Sequence, residues 1–250
     1  MQTRNEKVVL IIQARVGSTR LPNKVLLDLA GGTLVSRILE RVKRCTEIQS
    51  IVLAVPDTKE NDRLAQIGIK SEVNVFRGSE NDLVDRYYKA AIVEKADIVV
   101  RLPCDNPLPE ANEIDKIIKH HISLDRRGFT TNLTELNGSG YPDGIGAEVF
   151  DFSLLSQVMA SEIDPQKREH IHLNFVNYKT SKAVNSDWCP VNTIECPIEY
   201  RRPDLVLDVN TLEEYEFIKK IYEFFYKKNK HFGILDIVKW YDEIYLKNIK

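Results

Sequence analysis

Apolar runs long enough to cross a membrane are absent from this 250-residue sequence, so no membrane insertion is expected. The first residues, MQTRNEK, carry no apolar segment of the signal-peptide kind, and a cytoplasmic location is expected. Cysteine is sparse. Cys45, Cys104, Cys189 and Cys196 form no CxxC pair, which argues against a disulfide framework. Cys189 and Cys196 have no matching ligand pair nearby, so a zinc site is not expected. Excess positive charge is missing too: the formal net charge is −2, against a broad nucleic-acid-binding face. There is no GxxxxGK[ST] loop and no GxGxxG turn, which removes the P-loop and dinucleotide-fold readings. Repeats, linkers and low-complexity segments are also lacking, and a single domain over 1–250 is expected.

What the chain does contain is an alternation of short apolar runs and amphipathic stretches, with 43% hydrophobic and 29% charged residues overall. That pattern predicts a three-layer αβα fold with a mostly parallel central sheet. Strands are expected at 8–12, 51–55, 73–76 and 98–102, the last buried on both faces. Helices are expected at 33–44 with Thr33 as N-cap, at 59–68 ended by Gly68, and at 82–94. Farther along, helices are expected at 110–123, 154–161, about 165–178, 211–227 and 233–246. Strands are expected at 148–152 and 205–209. The region 126–146, rich in Gly, Asn and Thr, reads as strand plus long loop. Tyr215, Phe217, Tyr222, Phe224 and Phe225 give the 211–227 helix more aromatics than one face needs, with core packing as the default.

Four segments concentrate chemistry. The first, IIQARVGSTRLPNK at 11–24, runs from a buried strand into a loop with Arg15, Arg20 and Lys24, Gly17, and the hydroxyls of Ser18 and Thr19. Arginine forks, a lysine point charge and loop amides suit a triphosphate, and glycine allows close approach. The second, RLPCDNP at 101–107, delivers Asp105 where a strand leaves the sheet, the rim at which open α/β sheets bind ligands. The third, LVLDVNT at 205–211, repeats that device with Asp208; Asn210 is expected to cap the next helix, leaving Asp208 for a metal. Two strand-end carboxylates suit Mg²⁺, which binds phosphates in turn. The fourth joins YPDGIGAE at 141–148 to KREH at 167–170, a glycine-shaped loop over a substrate. His120 and His121 are expected to be solvated. His170 and His172, two apart on a helix, would face different ways, against a His–His metal pair.

Six segments in order, IIQARVGSTRLPNKVL, VFRGSENDLVDRYYKAA, RLPCDNPL, YPDGIGAEVF, KREH and LVLDVNTLEEYEFI, resemble the cytidylyltransferases that activate acidic sugars. The resemblance is closest to the spore coat polysaccharide biosynthesis protein F family, relatives of CMP-Kdo and CMP-acylneuraminate synthetases. It implies the nucleotide-diphospho-sugar transferase type of fold, CTP as donor, Mg²⁺ as cofactor, pyrophosphate as product and a small anionic acceptor. It implies Ala14, Arg15, Gly17, Ser18, Arg20 and Lys24 around the triphosphate, with Arg15, Lys24 and Asp105 as catalytic groups. It places Gly78, Ser79, Asp82 and Arg86 near the nucleotide, Asp105 and Asp208 on the metal, and Glu148, Arg168 and His170 toward the acceptor. A homodimer is also implied. Gly146 stands where the family usually has Asp, so one carboxylate is expected to be missing. The alternatives are a UTP- or GTP-dependent transferase acting on a sugar phosphate, and an inactive nucleotide-binding homologue.

Overall fold

The computed structural model describes residues 6–249 apart from 19, 126, 162 and 163. Thr19, one of the two loop hydroxyls, is therefore outside the described residues. Seven strands form the main sheet. In chain order they are β1 (Val8–Gln13), β2 (Ser50–Pro56), β3 (Asn74–Gly78), β4 (Ile98–Pro103), β5 (Phe129–Thr131), β6 (Glu148–Asp151) and β7 (Val191–Asn192). Across the sheet the order is β7-β5-β6-β4-β1-β2-β3. Strands β4, β1, β2 and β3 run parallel, and β6 pairs antiparallel with both β4 and β5. The central strands are apolar throughout because both faces are covered. In β1, Val8, Leu10 and Ile12 enter one buried cluster while Val9 and Ile11 enter the other, the period-two alternation of a strand.

On the first face lie α1 (Leu34–Val42), α2 (Asp62–Lys70), α4 (Ala111–Ser123), α7 (Leu212–Phe225) and α8 (Ile234–Trp240). On the other lie α3 (Leu83–Glu94) and α5 (Phe152–Ala160). Thr33 caps α1 as expected, its hydroxyl accepting from the Ser36 amide at 3.2 Å. The aromatics of α7 turn inward: Phe217 meets Tyr245 and Phe225 stacks on Phe232, so the C-terminal segment covers them.

Several sequence expectations are corrected. Gly68 does not end α2, which continues to Lys70; Gly68 instead leaves room for packing, since a Cβ there would lie 2.6 Å from Val75 Cγ2. The expected 165–178 helix is α6 (Pro165–Glu169), then a 3-10 turn at Ile171–Asn174 and a hairpin strand at Val176–Asn177. The chain breaks at His170, whose backbone leaves the helical region (φ −125°, ψ 87°). The 233–246 helix likewise divides, because a wider turn at Tyr241–Tyr245 follows α8. Residues 205–209 form no strand of the sheet; they make one isolated bridge, Val206 to Asp143, outside it. His121 is fully buried, held between Thr130 Oγ1 at 2.8 Å and Asp151 at 3.3 Å.

Gly146 is required by packing, since a Cβ there would sit 2.1 Å from the Asn132 carbonyl oxygen. The Asn132 side chain ties this crossing to α4 through the Glu113 carbonyl at 2.9 Å. Backbone on both sides cannot give way cheaply. Gly146→Ala is expected to cost at least about 2 kcal/mol through overpacking, read as a fall in melting temperature of roughly 4–8 °C for a chain of this size.

Candidate functional site

A cleft of about 470 Å³ opens at the C-terminal ends of β1 and β4, the position where open α/β sheets take their ligands. Ala14, Arg15, Gly17, Ser18, Arg20 and Lys24 all line it. The loop they form is anchored by hydrogen bonds from its backbone amides. The Ala14 amide donates to Ala54 O at 3.2 Å, and the Val16 amide to Asn61 Oδ1 at 3.1 Å. A Cβ on Gly17 would meet no protein atom within 4 Å, so protein packing does not demand this glycine. Arg15 reaches one lip, while Arg20 and Lys24 both reach the segment around Val209 and Asn210. Arg15 pairs with Glu169 at 2.8 Å, and Arg20 donates to Asn210 Oδ1 at 2.7 Å. Lys24 Nζ donates to the Val209 carbonyl at 2.8 Å and lies 3.3 Å from Asp105.

Asp105 and Asp208 come together as the sequence suggested, by a different route. The extended segment 205–209 threads between two loops. The Val209 amide donates to Asp105 O at 2.7 Å, the Asp143 amide to Leu205 O at 3.0 Å, and the Leu207 amide to Asp143 O at 3.0 Å. Gly144 permits the crossing, with φ +92° and Leu207 backbone 2.9 Å from where a Cβ would be. Thr211, not Asn210, caps α7, in a capping box with Glu214. Asn210 instead donates from Nδ2 to Asp208.

Asp143 is a third carboxylate of the cleft, which the sequence reading quoted within YPDGIGAE but did not single out. It lies three residues before Gly146 on the same loop and lines the cleft. No group of three His, Cys, Asp or Glu among the described residues closes around a metal by itself. Hard carboxylate oxygens in this number suit an ion that completes its shell with phosphate and water.

The remaining wall is built around Glu148. This carboxylate is 1% exposed; it pairs with the buried Arg101 and accepts the Tyr178 hydroxyl at 3.0 Å. Arg101 also donates to Gln13 Oε1 at 3.1 Å. His170 and His172 both line the cleft because the helix breaks between them and α6. Burial pushes the His172 pKa down to about 4, so it is neutral at pH 7. Arg168 is not on the cleft wall. It is held by Asp82 at 2.6 Å and by the Met159 sulfur, so in this structure it is turned away from where an acceptor would lie. Gly78, Ser79 and Asp82 also stand behind the wall. Ser79 Oγ accepts from the Asp82 amide, and Asp82 caps α3. Of that group Arg86 reaches the cleft. Gln13, Glu80, Arg101, Asp143, Glu169, His172 and Tyr178 were missed as site residues. The signal that could have found some of them was a charge or amide directly at a buried strand's end.

Three aspartates share one low-dielectric pocket. Burial, then the charges of Asp208 and Asp105, push Asp143 up to about 7. Burial, then Asp105, pushes Asp208 up to about 6.

Residues 9–229 match the cytidylyltransferase family model. Over 221 residues the chain is 33% identical to spore coat polysaccharide biosynthesis protein SpsF of Bacillus subtilis, covering 86% of each. A solved cytidylyltransferase from Leptospira borgpetersenii superposes with TM-score 0.83 at 31% identity, over 95% of this chain and 94% of that one. CMP:2-keto-3-deoxy-manno-octonic acid synthetase in complex with CTP superposes with TM-score 0.63 at 17% identity, over 86% and 98% of the two chains. At that identity the likeness is one of fold.

In metal-chelated, nucleotide-free protein, the folded-state pKa of Asp143 lies above its ordinary 3.8. The folded form therefore holds protons that the unfolded form releases, and stability declines as pH rises from about 4 through 7. Asp143→Asn removes this penalty. Its melting temperature is expected to exceed wild type by roughly 3–6 °C at pH 8, with the gain shrinking at pH 5. An equal shift at both pH values would contradict the raised pKa of Asp143.

Proposed function

The chain belongs to the cytidylyltransferase family, and on that premise we propose that it transfers CMP from CTP to a small acidic acceptor, releasing pyrophosphate. Sugar acids, polyol phosphates and phosphonates are the acceptor classes, and surface-polysaccharide synthesis is the setting, as the likeness to the spore coat protein supports. The observation that carries the reading is the convergence of Arg15, Arg20 and Lys24 with Asp105 and Asp208 on one cleft.

Arg15, Arg20 and Lys24 neutralise the triphosphate and stabilise the departing pyrophosphate, Arg15 leaving Glu169 to do so. Asp105 and Asp208, with Asp143 beside them, would hold Mg²⁺, and the bound ion supplies charge neutralisation at the phosphates. Lys24 aligns Asp105 by bonding it and the Val209 carbonyl together. The acceptor lies against Gln13, Glu148, His170 and Tyr178. Glu148 acts through hydrogen bonds to hydroxyls, because Arg101 already cancels its charge. The acceptor oxygen displaces pyrophosphate at the α-phosphorus in line, and the protein's work is positioning and electrostatics. Asp143 on the same cleft gives it a further carboxylate despite Gly146, which speaks against the reading of an inactive homologue.

Pyrophosphate release is measured with CTP, UTP and GTP, Mg²⁺, and a panel of sugar acids, polyol phosphates and phosphonates. CTP with at least one acidic acceptor is expected to turn over. Asp105→Asn and Arg15→Ala are each expected to lower turnover by about 10²–10³ with unchanged melting temperature to within a few degrees. Near-normal turnover of Asp105→Asn would remove Asp105 from the metal role, and preference for UTP or GTP would replace the donor.

A further inference from the structure

Arg86 is a buried cation of the cleft that forms no ion pair within 4 Å among the described residues, although Glu80 and Asp82 act on it from farther away. It is 3% exposed, and its Nε has no hydrogen-bond partner among them. Its Nη1 donates to the Ser79 carbonyl at 2.8 Å. Asp82, one helical turn back, is occupied: it caps α3 and pairs with Arg168 at 2.6 Å. Gly78 makes room for the arginine stem, since a Cβ there would stand 3.2 Å from Arg86 Cγ and 2.7 Å from the Phe76 ring. A guanidinium buried without a direct ion-pair partner is costly, and the sequence goes to some length to hold it on the cleft wall. Burial, and then the charge of Arg15, push its pKa down to about 10, so it remains charged at pH 7.

The surroundings separate a base from a phosphate. Arg15, Arg20 and Lys24 already serve anions on the loop. Arg15 lies near enough to act on Arg86, but the cleft there is also lined by apolar Leu83 and by Glu80, a carboxylate that repels phosphate. Glu80 is exposed, lines the same cleft and acts on Arg86 through its charge, so a donor and an acceptor are offered side by side to one edge of a planar ring. Cytosine carries adjacent acceptors O2 and N3 and a donor amine at N4. Uracil presents N3–H where cytosine has a lone pair, and a carbonyl where cytosine has the amine.

We propose that Arg86 and Glu80 read the hydrogen-bonding edge of the pyrimidine, Arg86 donating to O2 and N3 and Glu80 accepting from the N4 amine, and so select CTP over UTP. The inference rests on the CTP-dependent reading above and names the residues that enforce it. Discrimination comes as much from repulsion of uracil as from attraction of cytosine. Against uracil, a guanidinium would face N–H and a carboxylate would face a carbonyl.

The test is calorimetric titration of CTP and of UTP, each with Mg²⁺, into wild type, Glu80→Gln and Arg86→Lys. It needs no acceptor. Wild type is expected to bind CTP at least about 20-fold more tightly than UTP, in line with one bidentate base contact plus one single contact. Glu80→Gln, whose amide can donate to the uracil carbonyl, is expected to cut that ratio at least fivefold, largely by tightening UTP. Arg86→Lys is expected to weaken CTP more than tenfold and UTP much less. Wild type without preference, or parallel losses for both nucleotides that leave the ratio unchanged in both variants, would overturn the proposal. Glu80 is exposed, so that variant retains the fold even where the arginine variant does not. Selective CTP binding without pyrophosphate release on any acceptor would sink the catalytic reading while supporting this one.

Discussion

The passage of residues 205–209 between the Asp105 turn and the Asp143 loop is the constraint on which the cleft depends. Three backbone hydrogen bonds fix it, and Lys24 closes it by donating to Val209 O and meeting Asp105. Hydrogen bonds of this kind specify register more than they add net stability. Their consequence is that three carboxylates from distant parts of the chain face one volume. Such a cluster opposes folding until a cation or a ligand charge joins it, the familiar cost of a site organised for binding.

Opposite charges are kept in reserve around that cluster. Arg15 and Arg20 rest on Glu169 and Asn210, exposed or half-buried partners that a triphosphate can displace at small expense. Arg101 and Glu148 are the reverse case. Both are buried, and each satisfies the other with help from Gln13 and Tyr178. Separating them would strand a charge in the interior. One set is therefore exchangeable and the other is scaffolding, and burial is what divides them.

Much of the organisation was legible beforehand. The central strands read as strands because they are apolar on both faces, and Thr33 read as a cap because a hydroxyl there meets an orphan amide. The loop cations, Asp105 and Asp208 read as a site because charge at a buried strand's end has few structural uses. What failed was local continuity. The helix expected over 165–178 breaks at His170, which turns both His170 and His172 to the cleft. Arg168, two residues earlier, is drawn to Asp82 instead. Asp143 went unnoticed because nothing in YPDGIGAE marks which acid faces inward.

The order of apolar runs, their caps and the charges at their ends are local properties, so the chain's own alphabet determined the layered fold, the loop of cations and the family resemblance. Which carboxylates converge, which arginine loses its partner and which histidine is kept neutral depend on crossings between segments separated in the chain. Packing decided those, since Gly144 and Gly146 yield their side-chain space to neighbouring backbone and burial then sets each charge's worth.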